Sequence, residues 1–305
     1  MKRALTVVLF LALSHPAEGS ESLRTTFETL KPRLANSSFG RPLILESSEE
    51  AGRVRGDVFA VVNHSFREVT TGLNTPDEWC EVLILHLNVK SCGASPANTG
   101  SSLQMTLGTK RGSLADSGYR LAFSFRVVES SAGRFQVAMD ADEGPLGTNN
   151  YQLSLEATPT APAQSFLHLA YAYSVSTTAR LAMSTYLHTL GKGKVGFTVT
   201  SYGVDGEPVY VGGVRGALER NTMRYYLGIE TFLASAALRP PDRRQWRLSS
   251  WFDATEKYGR QLHELSKDEY LSSKEAGREG GPSNAAEGTA RALAADQRYR
   301  LALNH

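Results

Sequence analysis

The chain has two cysteines, no long apolar run and no block of like charge. Two thiols cannot supply the four ligands of a structural zinc site, nor staple a cysteine-rich scaffold. No stretch approaches the roughly twenty apolar residues that a membrane-spanning helix needs. Acidic and basic residues are interspersed, with a formal net charge of +2 over 305 residues, so the concentrated basic face of a nucleic-acid binder is excluded. Reactive signatures are missing too. There is no Gly-x-Ser-x-Gly elbow and no His-Glu-x-x-His pair, and His64, His86, His168, His188 and His263 are scattered. The expectation is no catalytic constellation, no metal and no cofactor.

What is present begins at the N-terminus. Lys2 and Arg3 lead an apolar run from Ala4 to Leu13, followed by small and polar residues. That is the layout of a secretory signal peptide over residues 1–19, with cleavage near Ala17-Glu18-Gly19 or Ala12-Leu13-Ser14. It predicts a mature chain in the periplasm or outside the cell, where two cysteines are read first as a disulfide.

The stretch Val61–Cys92 organises the rest. Ser65-Phe66-Arg67-Glu68 and Thr75-Pro76-Asp77-Glu78 are two capping boxes, the second with proline at the first helical position. With Gly72 between them they predict two short helices. Were Val82–Lys90 a straight strand, at about 3.3 Å per residue, Cys80 and Cys92 would lie too far apart to bridge. If the second helix runs to about Leu85 and the chain doubles back at Asn88, they meet. The export signal and the Thr75 box favour the second arrangement, and a Cys80–Cys92 disulfide is expected.

Before this stretch come a short amphipathic helix (Leu23–Leu34), ended by Pro32, and strands over Arg41–Ser47 and Arg53–Val62. After it, strands are expected over Ser102–Leu107, Tyr119–Glu129, the run around Phe135–Met139, Tyr151–Ala157 and Phe166–Tyr173. Asp140–Asn150 reads as a loop. Alternation puts Tyr119, Leu121, Phe123, Phe125 and Val127 on one face, with Arg120, Ala122, Ser124 and Arg126 on the other. Thr177–Leu190 reads as a helix and Lys194–Gly213 as a hairpin around Val204-Asp205-Gly206. A long helix follows over Ala217–Leu238. Its stripe of Leu218, Tyr225, Ile229, Phe232, Leu233 and Ala236 leaves Arg220 and Arg224 outside. Pro240-Pro241 ends it. Arg243–Ser266 can form a further helix, so 242–271 is expected as a helical extension. Residues 272–305 read as a disordered tail with one weak helix.

This order of elements, α+β with a curved antiparallel sheet around a long C-terminal helix, is that of the helix-grip fold. With the run NHSFREVTTGLNTPDEW it resembles the START-like, Bet v 1-like (SRPBCC) superfamily over residues 41–238. The pattern of Trp79-Cys80, Leu85–Lys90 and Cys92 also resembles a group of exported proteobacterial proteins. The resemblance implies an apolar space between sheet and helix, and a carrier or binding protein for a hydrophobic or lipid-like molecule. The segment 177–213 departs from the usual order and could cap or fill that space. Candidate ligand-binding residues are His86, Phe123, Phe125, Tyr171, Tyr173, Tyr225 and Ile229. For any single one of them, core filling is the simpler role.

Two rivals stand beside that reading. One is a cyclase- or hydrolase-type enzyme of the same fold using His86, His168 or Arg126. The other is an interaction protein with a filled core whose Arg243–Leu303 region docks a partner. Smaller signals read as structural: Asp140, Asp142 and Glu143 lack the ligand alternation of an EF-hand. Gly191–Lys194 follows a helix, so it is a C-cap and no phosphate cradle. Glu219, Arg220, Asn221 and Arg224 could grip a carboxylate or phosphate, with surface ion pairing the simpler account.

Overall fold

The computed structural model describes residues 22–97, 100–108, 118–176, 180 and 193–279. The expected signal peptide, all of Thr177–Leu190 except Arg180, and the weak helix from Thr289 lie outside them. Eight antiparallel strands form one sheet: β1 (Leu43–Glu50), β2 (Arg53–Val62), β3 (Val89–Ala97), β4 (Gly100–Leu107), β5 (Tyr119–Ser130), β6 (Phe135–Glu143), β7 (Thr148–Ala161) and β8 (Gln164–Val175). Their order is β1-β2-β8-β7-β6-β5-β4-β3. After the β1–β2 hairpin the chain crosses to the far edge and meanders back until β8 pairs with β2.

That crossing is made by α2 (Phe66–Gly72) and α3 (Pro76–Leu83). Both capping boxes close: the Ser65 and Thr75 backbone N–H groups donate to the carboxylates of Glu68 and Glu78. The chain then turns back over Ile84–Asn88, and Cys80 and Cys92 are joined in a disulfide with their Cα atoms 5.2 Å apart. Trp79 is fully buried, its indole N–H donating to the Leu73 carbonyl at 2.9 Å.

The helix that the sheet grips is α4 (Gly213–Ala234), continued by a short turn at Ser235–Ala237. It lies against β2, β1 and β8 on one side and against α5 (Pro240–Glu256) and α6 (Gly259–Leu262) on the other. The closest approach to the sheet is at Gly56, where a Cβ would sit 2.6 Å from Thr222 Oγ1. The opposite, convex face of the sheet carries α1 (Leu23–Ala35), whose Leu23, Leu30 and Leu34 pack with Ile44 and Phe166. The fold is α+β and helix-grip.

Several boundaries differ from those expected, each for a local reason. Pro32 sits inside α1, which continues to Ala35, because it forfeits only one hydrogen bond in a helix already seated by its leucines. The loop expected over Asp140–Asn150 shrinks to Gly144–Gly147: β6 runs through Glu143 and β7 starts at Thr148, held by Ala141↔Tyr151 and Glu143↔Asn149 pairing. β3 was not expected as a strand, since Ser91-Cys92-Gly93-Ala94-Ser95-Pro96 has little strand propensity, yet as an edge strand it needs one partner only. The hairpin over 194–213 is confined to β9 (Val199–Tyr202) and β10 (Pro208–Tyr210).

The C-terminal region holds the largest correction. Residues 272–279 are not tail: α7 (Lys267–Glu279) is helical and docks through Tyr270 and Lys274. The Tyr270 hydroxyl donates to the Leu85 carbonyl, and Lys274 Nζ donates to the carbonyls of His86 and Val89. A helix that satisfies three carbonyls of a buried turn is fixed by them, whatever its composition. No helix among the described residues is long and apolar enough to cross a membrane.

Candidate functional site

Period-2 alternation in the strands sends one set of side chains to the concave face, towards α4. On β5 these are Leu121, Phe123 and Phe125, on β7 Tyr151, Leu153 and Leu155, and on β8 Leu167, Leu169, Tyr171 and Tyr173, all buried. Their aromatic members meet in one cluster. Tyr151 lies 6.4 Å from Phe123, 6.2 Å from Tyr171 and 5.1 Å from Tyr173, ring centre to ring centre. From the helix, Tyr225 meets Tyr171 edge-on at 5.2 Å, and His86 meets Tyr225 at 5.1 Å. Ile229, one turn further along, is fully buried. Of the sequence candidates, His86, Tyr171, Tyr173, Tyr225 and Phe123 are thus joined ring to ring, while Phe125 and Ile229 are core residues beside them. The alternation of β7 could have supplied the missed member, Tyr151.

Tyr225 packs edge-on against Tyr171, and burial pushes its phenol up. Even so, part of its surface stays accessible, and the same holds for Asn221 one turn earlier. The neighbouring phenols are also shifted upward by burial, Tyr151 to about 12, with Tyr171 and Tyr173 raised likewise. They are neutral hydrogen-bonding groups at any physiological pH.

His86 is closed to acid–base work by its own bonds. Its Nδ1 accepts from the Asn88 backbone N–H at 3.3 Å, and its Nε2 lies 3.2 Å from Asn221 Oδ1. An amide oxygen accepts, so Nε2 carries the hydrogen and the ring is the neutral Nε2–H tautomer. Burial, helped by the nearby Arg224 and Lys274 charges, lowers its pKa to about 3. It is a fixed donor at the edge of the tyrosine cluster.

The polar patch on α4 lies inside and not on the surface. Glu219, Arg220 and Arg224 are 0%, 6% and 4% exposed, because α4 is covered by the sheet on one side and by the C-terminal helices on the other. Glu219 is saturated: it accepts from the backbone N–H groups of Phe197 and Thr198 and from the hydroxyls of Thr198 and Ser47. Arg224 pairs with Glu264 at 3.0 Å and donates to the Leu262 carbonyl. Lys194, read from sequence as a helix-capping lysine, reaches the same Glu264 at 3.1 Å and the His263 carbonyl at 2.6 Å. Among the described residues Arg220 makes one hydrogen bond, from Nη1 to the Val195 carbonyl at 3.3 Å.

The other enzyme candidates do not join this site. His168 is on the convex face, stacked on Phe59 at 4.4 Å and held between Asp57 (2.7 Å) and Glu156 (3.2 Å). Arg126, more than half exposed, pairs with Asp140 at 2.9 Å on that face. Alternation along β5 and β8 makes this unavoidable, since Arg126 follows the concave-facing Phe125 and His168 lies between the concave-facing Leu167 and Leu169. Among the described residues no cluster of three or more His, Cys, Asp or Glu side chains could hold a metal ion.

No family model and no curated protein matches the chain. Solved structures similar to it include human StAR-related lipid transfer protein 5 (9% identity, TM-score 0.35, covering 69% of this chain and 96% of that one). Norcoclaurine synthase from Thalictrum flavum is similar at 14% identity and TM-score 0.34, over 48% of this chain and 91% of that one. A START superfamily protein from Mycobacterium smegmatis is similar at 13% identity and TM-score 0.31, over 45% and 92%. The strand order and the gripped helix, described above, are what define the helix-grip fold here.

Proposed function

We propose that the protein binds a hydrophobic or lipid-like small molecule between the concave face of its sheet and α4, as a carrier without covalent chemistry. The observation that carries this reading is the cluster of Tyr225, Tyr171, Tyr173 and Tyr151 where the concave face meets α4, with Tyr225 only partly buried. On β4 and β6 the inward side chains include Leu103, Met105, Val137 and Met139, so the buried tyrosines of this face are gathered on β7, β8 and α4. Tyrosines add hydroxyls that can orient the polar end of a guest in an otherwise apolar pocket.

The signal-like N-terminus supports an exported carrier, working in the periplasm or outside the cell. The enzyme alternative loses support where His86 is locked neutral and where His168 and Arg126 face away. The test is native purification of the full chain from an export-competent host, followed by organic extraction and mass spectrometry. A stoichiometric apolar compound, or displacement of a bound apolar dye, is expected. Protein that yields no such compound and binds no dye would overturn the proposal.

A further inference from the structure

A cleft of about 660 Å³ opens beside α4, away from the tyrosine cluster. Leu227, Glu230, Thr231 and Ala234 line it from the helix at i, i+3, i+4 and i+7, a face about half a turn round from Tyr225 and Ile229. Its other walls are the chain entering β1, the chain leaving β2, and α5. The volume falls within the roughly 300–1,000 Å³ of small-molecule sites. None of the candidate ligand-binding residues on the concave face lines it.

Two features of this cleft offer more than the fold takes from them. The first is Trp246. Trp79 and Trp251 are fully buried, and their indole N–H groups donate to the carbonyls of Leu73 and Arg224. Trp246 is 37% exposed, and its indole makes no hydrogen bond among the described residues. A flat apolar ring therefore stands at the cleft with no structural partner for its polar edge. The second is an ion pair. Arg41 Nη2 donates to the Glu230 carboxylate and, at 2.9 Å, to the Tyr226 hydroxyl, and both Arg41 and Glu230 keep part of their surface accessible.

The ion pair decides the class of guest. Its two charges cancel, so an anion meets Glu230 and a cation meets Arg41, each at a loss. Lys257 also lines the cleft, but it is exposed and its charge is screened by solvent. A hydroxyl both donates and accepts, so one held here can accept from Arg41 and donate to Glu230 without breaking the pair. Adjacent hydroxyls on one ring repeat that match. In the same cleft Asn63 accepts from Gln164 Nε2 through Oδ1 at 2.9 Å, which leaves its amide N–H groups for a further hydroxyl. A sugar ring joins such hydroxyls to an apolar C–H face, which packs on an aromatic ring.

We propose that this cleft binds a neutral sugar, its ring stacked on Trp246 and its vicinal hydroxyls bridging Arg41 and Glu230. The site is separate from the proposed carrier site and does not rest on that reading.

The test titrates natively purified full chain with the neutral methyl glycosides of glucose, galactose, mannose and N-acetylglucosamine, beside gluconate and adenosine as charged and heteroaromatic rivals. Tryptophan emission and acrylamide quenching report chiefly on Trp246, since the other two indoles are buried. At least one glycoside is expected to shift the emission saturably, to shield Trp246 from acrylamide and to move its indole N–H resonance in the wild-type chain, a readout that needs no variant. Trp246→Ala should weaken that binding about five- to tenfold, and Trp246→Tyr should keep part of it. Glu230→Gln, which keeps the shape and loses the charge, should weaken it by a similar factor. No response to any of the glycosides, tighter binding of gluconate or adenosine than of every glycoside, or full affinity in Trp246→Ala or Glu230→Gln would overturn the assignment.

Discussion

Gly56 is where the sheet and the gripped helix come closest, and a single methyl group tests that contact. In Gly56→Ala the new Cβ would stand 2.6 Å from Thr222 Oγ1, 3.4 Å from Thr222 Cβ and 3.5 Å from Leu218 Cδ2. Thr222 has no room to yield. It is wholly buried, and its hydroxyl donates to the Leu218 carbonyl at 2.9 Å. Turning it about χ1 would bring the methyl group to the same place or break that bond. Overpacking of this kind costs about 1–3 kcal/mol. The entropy that alanine removes from the unfolded chain returns about 0.4–1 kcal/mol. A net loss of about 1–2 kcal/mol corresponds, for a domain this size, to a Tm lowered by roughly 2–8 °C. Calorimetry of Gly56→Ala, Thr222→Ala and the double variant forms a cycle. Gly56→Ala should cost much less in the Thr222→Ala background, where Oγ1 and the methyl group are gone. Equal costs in both backgrounds, or a neutral Gly56→Ala in the wild-type chain, would refute the close approach.

Other contacts give shorter predictions. Reducing Cys80–Cys92, whose cysteines are separated by 12 positions, should cost about 3 kcal/mol by loop entropy, read as a fall of several degrees in Tm with dithiothreitol. No fall would mean that the turn holds itself. Lys274→Ala should lower the urea midpoint by the equivalent of about 2 kcal/mol or more, because the buried carbonyls of His86 and Val89 lose their donor; an unchanged midpoint would mean α7 is not docked. On the convex face, burial opposes the His168 charge, but hydrogen bonds to Asp57 and Glu156 outweigh it and raise the pKa above 6.5. A raised folded value contributes stability that is complete below about pH 6.5 and is lost as pH rises through the folded pKa. His168→Gln should therefore flatten the Tm–pH profile above pH 6.5, and an identical profile in both proteins would remove His168 as its source.

Much of the fold is legible because it is written in local chemistry. The capping boxes at Ser65 and Thr75, the alternation of Leu121, Phe123 and Phe125, and the Asp205-Gly206 turn each name an element from a few adjacent residues. The Cys80–Cys92 disulfide was expected from the export-like N-terminus and the Thr75 box, once the reach of the chain required it to double back. What escaped the sequence depends on distant partners. Arg220 and Arg224 fall outside the apolar stripe of their helix, which on a surface helix means solvent. Here a second layer, α5 to α7, covers that side, and only Glu264 and Val195, far along the chain, reveal it. The tail after Ser272 looks polar because α7 is held by Tyr270 and Lys274 donating to backbone carbonyls, which leave no mark in composition. Gly56 was visible as a glycine within a strand, a usual sign of close backbone approach, but the residue it makes room for was not.

The strand order also sets a timetable for folding. β2 is paired on one side by its hairpin neighbour β1, and on the other by β8, whose Ser165 pairs with Val62 and donates to the His64 carbonyl 101 positions back. The meander from β3 to β8 can form hairpin by hairpin from local contacts. The hairpin of β1 and β2 must wait with one edge open until the chain returns, and α4, which packs over Gly56, is made later still. Closure of a loop this long is paid for before any of its contacts form, which places the domain among slow, high-contact-order folders. Docking of β2 on β8 is the step expected to limit folding, and slower refolding of a Val58→Ala variant at the Val58–Leu169 pair would check it. Until it occurs the open edge of β2 is the segment most exposed to pairing with another chain.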